Sequence, residues 1–130
     1  MSTPNRIVLP AMDMNVSVDG EIEQSEIDHY VARAEGGAGL IITGACAIAF
    51  PVGAASMKEP GLSDDKYIPG LKALADAVHA AGSKLCVQST HHGKVARVDV
   101  ANDRPVLAPS IPDYDYDYGA LADSTPDELA

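Results

Sequence analysis

Twice in this chain an amphipathic helical pattern stops at glycine and gives way to a short apolar run. In the first copy Ile27, Tyr30, Val31 and Ala34 fall at i, i+3, i+4 and i+7, Gly36-Gly37 follows, and Leu40-Ile41-Ile42-Thr43 comes next. In the second, Leu71, Leu74, Ala75 and Val78 make the stripe, Gly82 ends it, and Leu85-Cys86-Val87 follows. That spacing gives each helix one face to bury. Apolar runs this short read as strands covered on both faces. A first strand, Arg6–Leu9 ending at Pro10, precedes both copies. Strand, helix, strand, helix, strand is the order of parallel βαβ construction, with right-handed crossovers. The expected strands lie near residues 6–10, 38–43 and 84–88.

Local signals refine the ends. Asp19-Gly20 is a turn, and Ser25 is the expected N-cap of the first helix, with Glu26 and Asp28 in its first turn where the helix dipole favours negative charge. Pro69 suits the first turn of the second helix, and Gly82 supplies a left-handed residue without Cβ strain at its end. Residues 47–66 carry Pro51, Gly53, Pro60 and Gly61 without periodicity. Long loops in compact domains are usually functional. Beyond Lys94 the compositions are those of loops, including an Asp/Tyr alternation over Asp113–Tyr118 that reads as solvated. Thr125-Pro126-Asp127-Glu128 is a capping box opening a helix. One helical turn does not offset its nucleation cost, so residues 1–130 are expected to be the N-terminal part of something larger.

Polar residues concentrate at one place. Gln88, Ser89, Thr90, His91, His92 and Lys94 arrive together at the carboxyl end of the third strand. In parallel α/β proteins that end is where ligands bind. A formal net charge of -10 argues against nucleic acid as a partner. No apolar signal core or membrane-length stretch is seen, so a cytoplasmic protein away from membranes is expected. Cys46 and Cys86 lack metal-ligand spacing and read as free thiols, Cys46 as a small packing residue. His91 and His92, adjacent on an extended segment, point to opposite faces and do not share one ion. No metal site is expected.

These segments carry a resemblance. Asn5-Arg6-Ile7-Val8 leading to Pro10-Ala11-Met12 resembles the first strand of the old yellow enzyme family of flavin oxidoreductases, where the order is Ala-Pro-Met. Ala32 to Thr43 is similar to that family's first helix end and second strand. Ile68-Pro69-Gly70-Leu71 with Ala75 to His79 resembles its second helix. Gln88-Ser89-Thr90-His91-His92-Gly93-Lys94 looks like its Gln-x-x-His-Ala-Gly-Arg, and Ala108-Pro109-Ser110 like its Ala-Pro-Ser loop. The enoate and 2,4-dienoyl-CoA reductase branch is the nearest in flavour.

The resemblance implies an α/β fold: the N-terminal portion, about three strands, of a TIM-type (β/α)8 barrel, which needs about 250 residues when complete. It implies FMN as cofactor, NAD(P)H as reductant, and hydride transfer to an activated alkene in an enone, enoate or enoyl-CoA. Ala11, Met12 and Asp13 are then expected along the flavin, Ala45 near its pyrimidine edge, and Gln88 hydrogen-bonded to that edge. An amide can both donate and accept there. His91 reads as a structural or substrate-facing histidine. The family's catalytic acid and phosphate loop would lie beyond Ala130, so no catalytic residue is named. Asp13 stands where the family often has Thr, Cys or His. Either its carboxylate sits near the flavin and lowers the reduction potential, or it faces solvent and only its backbone meets the ring. Lys94 replaces Arg and loses bidentate pairing. A complementary chain or a C-terminal remainder is expected to complete the barrel, as an oligomer or in one piece. The alternative is a non-catalytic fragment.

Overall fold

A computed structural model describes residues 2–107. Three strands, β1 (Val8–Leu9), β2 (Leu40–Ala47) and β3 (Lys84–Thr90), form one sheet in chain order. Both pairings are parallel, aligning Val8, Leu40 and Lys84 in one row and Leu9, Ile41 and Leu85 in the next. The crossovers are helices α1 (Gln24–Glu35) and α2 (Ile68–Ala80).

The two amphipathic stripes meet on one face of the sheet. Ile27, Tyr30 and Ala34 of α1, Ile41 of β2, and Leu74 and Val78 of α2 form the buried core, with Leu9 and Leu85 packed against it. Leu74 is fully buried, so Leu74→Ala would cost roughly 2–5 kcal/mol through lost transfer energy and a cavity. Leu71 and Ala75, expected beside it, are only half-buried. Gly82 ends the second unit at φ +90°, with open space where a Cβ would stand, as a left-handed stop requires.

The strand limits differ from expectation. β1 is shorter than residues 6–10, and β2 runs through Gly44, Ala45 and Cys46 rather than leaving the sheet at Thr43. The reason is a bulge. Ile42 opposes Cys86 and Ala45 opposes Gln88, so β2 spends one extra residue there and then resumes pairing as far as Ala47 and Thr90. The third strand was expected to be covered on both faces. Cys86, Val87, Gln88 and Ser89 are instead exposed, because β3 is an edge strand among the described residues.

The N-cap of α1 is also corrected. Glu23 holds that position without a side-chain bond, and Ser25 lies inside the helix. Glu26 is not at the surface but buried, accepting a 2.8 Å hydrogen bond from the Ser17 hydroxyl. The Ala108–Ser110 loop, the Asp/Tyr segment and the capping box at Thr125 lie outside the described residues.

Candidate functional site

The carboxyl ends of the three strands converge, and the bulge in β2 is their junction. A bulge frees backbone donors that must find other acceptors. Here three side chains supply them. Gln88 N–H donates to Thr43 Oγ1 at 3.0 Å, Gly44 N–H to Tyr30 Oη at 2.9 Å, and Ala45 N–H to Asp13 Oδ1 at 2.6 Å. Each acceptor comes from a different element: β2 itself, α1, and the segment after β1.

Gly44 is required by close approach. A Cβ there would lie 2.6 Å from the Met12 carbonyl oxygen and 2.9 Å from the Asp13 Cα. The segment Ala11–Asp13 therefore rests directly on β2, and the Asp13 carboxylate ties it down. The side chain is exposed in part, yet one carboxylate oxygen is committed to the Ala45 amide.

The remaining candidates fall around this junction. Met12 is 55% exposed and presents an apolar surface. Gln88 is exposed and, by alternation from the core-facing Leu85, projects from the sheet face opposite the helices. Ala45 is buried with its amide taken, so it shapes a floor rather than offering a donor. His91 is half-buried, accepts from Gly93 N–H at 3.1 Å through Nδ1, and lies against Gly53 so closely that a Cβ there would collide with its ring.

Burial sets the titration of the groups underneath. It pushes the Tyr30 phenol up to about 12, so its hydroxyl remains protonated at neutral pH while accepting from Gly44. The Cys46 thiol, 1% exposed, is pushed up to about 11 by burial, which fits packing rather than nucleophilic chemistry. Cys86, by contrast, is exposed.

The sequence did not single out Glu59. It is 2% exposed in the loop after β2, and its Oε1 lies 3.1 Å from His92 Nε2. Burial raises its pKa above the usual carboxylate range, Asp13 adds to the rise, and His92 opposes it. The one available signal was a glutamate inside the irregular 47–66 stretch. Among the described residues no group of three or more His, Cys, Asp or Glu could hold a metal ion. No helix among them is long and apolar enough to cross a membrane.

Residues 1–124 match the NADH:flavin oxidoreductase / NADH oxidase family. The chain is 41% identical over 107 residues to an NADH oxidase of Thermoanaerobacter brockii, covering 82% of this chain and 16% of that protein. It is 40% identical over 113 residues to an NADPH dehydrogenase of Halalkalibacterium halodurans, covering 85% and 32%. Among solved structures, morphinone reductase in complex with tetrahydroNAD superposes with a TM-score of 0.67 at 30% identity, covering 73% of this chain and 25% of that one. Old yellow enzyme from Pichia superposes at 0.72 with 27% identity, covering 83% and 28%. The chain thus spans about a sixth to a third of the length of these curated relatives.

Proposed function

Since the chain belongs to the NADH:flavin oxidoreductase / NADH oxidase family, we propose that it supplies the first three strand exits of an FMN cradle in an ene-reductase. Family membership implies FMN as cofactor and NAD(P)H as reductant. FMN, when bound, would supply the hydride-transfer chemistry linking NAD(P)H to an activated alkene, while this chain's residues hold and orient the ring. The substrate class is an enone, enoate or enoyl-CoA.

The residues fit such a ring. Gly44 lacks the Cβ that would push the Ala11–Asp13 segment away, so that segment and β2 make one continuous surface. Met12 gives this surface an exposed apolar side chain, and Gln88 an exposed amide on the sheet face opposite the helices. In this reading Gln88 pairs with the pyrimidine edge, Ala45 closes the floor, and Asp13 holds the wall in place through the Ala45 amide. His91, held against Gly53, faces the substrate side.

A cradle of three exits is incomplete. Val8 in β1 and Val87 in β3 are 45% and 39% exposed, and among the described residues these two strands have edges free to pair with further strands. The functional unit therefore includes further barrel strands, on the same polypeptide or from a complementary chain. Residues 1–130 alone neither hold FMN nor reduce an alkene.

The Gln88 position carries this reading, and it is tested there. In the complete barrel, Gln88→Leu is expected to weaken FMN binding by roughly 1–3 kcal/mol, since the ring edge loses its partner. Flavin fluorescence quenching measures this directly. An affinity unchanged within about twofold would remove Gln88 from the flavin site.

A further inference from the structure

The loop after β2 and the segment after β3 are fastened together at a seam the flavin cradle does not require. Gly53 N–H donates to Asp99 Oδ2 at 2.7 Å, His92 N–H to the Gly53 carbonyl at 2.8 Å, and Val98 N–H to the Ala54 carbonyl at 3.2 Å. Glu59 sits at the same seam, with Oε1 3.1 Å from His92 Nε2. The Ala55 N–H also donates to this carboxylate, and among the described residues Oε2 has no hydrogen-bond partner. The pair opens on a cavity of about 420 Å³ lined also by Asp13, Asn15, Ser56 and Arg97.

A buried carboxylate with one oxygen left unpaired is a poor way to gain stability, because desolvation cancels most of the attraction. Such a group is better explained by the geometry it enforces. We propose that Glu59 is a positioning residue: it fixes His92, which walls the cavity that meets the substrate, and through it the adjoining His91–Gly93 turn.

Two neighbouring imidazoles are then held from one loop. His91 is seated on Gly53, where any Cβ would displace it, and His92 is held by Glu59. The cavity draws on all three strand exits: Asp13 and Asn15 after β1, Ser56 and Glu59 after β2, and His92 and Arg97 after β3. The charged groups around the Glu59 carboxyl are His92 and Asp13, with Arg97 on the same cavity. Glu59 would act on how substrate sits, not on the flavin chemistry. This inference rests on the reading of the strand exits as the substrate-facing mouth.

Two measurements test it separately. Carbon NMR of the Glu59 carboxyl, compared between wild type and His92→Gln, reads the pairing without any flavin. Its titration midpoint is expected to move up when the favourable imidazole is lost, and an unmoved midpoint overturns the proposal. Steady-state reduction of cyclohexenone by the flavin-loaded complete barrel reads the consequence. Glu59→Gln, close to isosteric, is expected to raise KM roughly fivefold while kcat stays within about twofold. A variant with lowered stability but unchanged KM would show a merely structural role and overturn the positioning claim. If the complete barrel binds no flavin, the flavin reading fails by itself, and Glu59 stands or falls on the carboxyl titration.

Discussion

The Asp13 carboxylate accepts a 2.6 Å hydrogen bond from the Ala45 amide, thirty-two residues away and on the neighbouring strand. This bond joins the segment after β1 to the bulge in β2, so the two expected flavin contacts are parts of one structural unit. Asp13→Ala leaves the amide unpaired in a partly buried place and is expected to cost about 1–2 kcal/mol. Asp13→Asn keeps an acceptor oxygen and should lose clearly less. Urea unfolding midpoints of the two variants check the order.

Gly44 and Gly82 should respond differently to alanine. At Gly44 the new Cβ meets backbone atoms of Met12 and Asp13 at 2.6–2.9 Å, which cannot rotate away. Gly44→Ala is expected to cost roughly 1–3 kcal/mol and to displace the Met12–Asp13 wall. At Gly82 the space is open and only the positive φ is strained, for about 1 kcal/mol. In the complete barrel only Gly44→Ala should also weaken FMN, as a paired titration of both variants would show.

Tyr30→Phe removes the acceptor for Gly44 N–H while keeping the ring that fills the core. With Tyr30 1% exposed, the expected cost is about 1–2 kcal/mol. Because its pKa lies at about 12, the loss should be constant across neutral pH. Amide exchange at Gly44 should rise in step with it.

Glu26 provides a pH test. Burial raises its pKa above 4.5, and the Ser17 hydroxyl only partly offsets this. The folded state then holds the proton more tightly than the unfolded one. The stabilising contribution is present in full below the unfolded pKa and is lost as pH rises through the folded value. Glu26→Gln removes the buried charge while keeping an acceptor for Ser17. It should gain stability over wild type at neutral pH, with the gain shrinking on acidification. Urea midpoints across that range decide it.

Much of this architecture was legible in the residues. The stripes of Ile27, Tyr30 and Ala34, and of Leu74 and Val78, and the glycine stops at Gly37 and Gly82, followed from local rules of helix burial and termination. The bulge was not legible, because Thr43-Gly44-Ala45 reads as a strand exit unless one knows that Tyr30 and Asp13 reach it from elsewhere. Ser25 looked like a cap because capping is judged locally, whereas Glu26 was drawn inward by a distant Ser17. Glu59 was missed for the same reason: its partner His92 lies beyond an entire helix and strand. Pairings across the sheet depend on tertiary approach, which spacing alone does not encode.

The central claim is that these three strand exits form part of an FMN cradle that further strands must complete. Intact mass under native conditions, read together with visible absorbance, tests it most directly. The account predicts that residues 1–130 alone are colourless and fail to oxidise NAD(P)H in the presence of an enone, and that every yellow species carries additional barrel strands. A monomer of this chain alone, yellow and active on an enone, would contradict it.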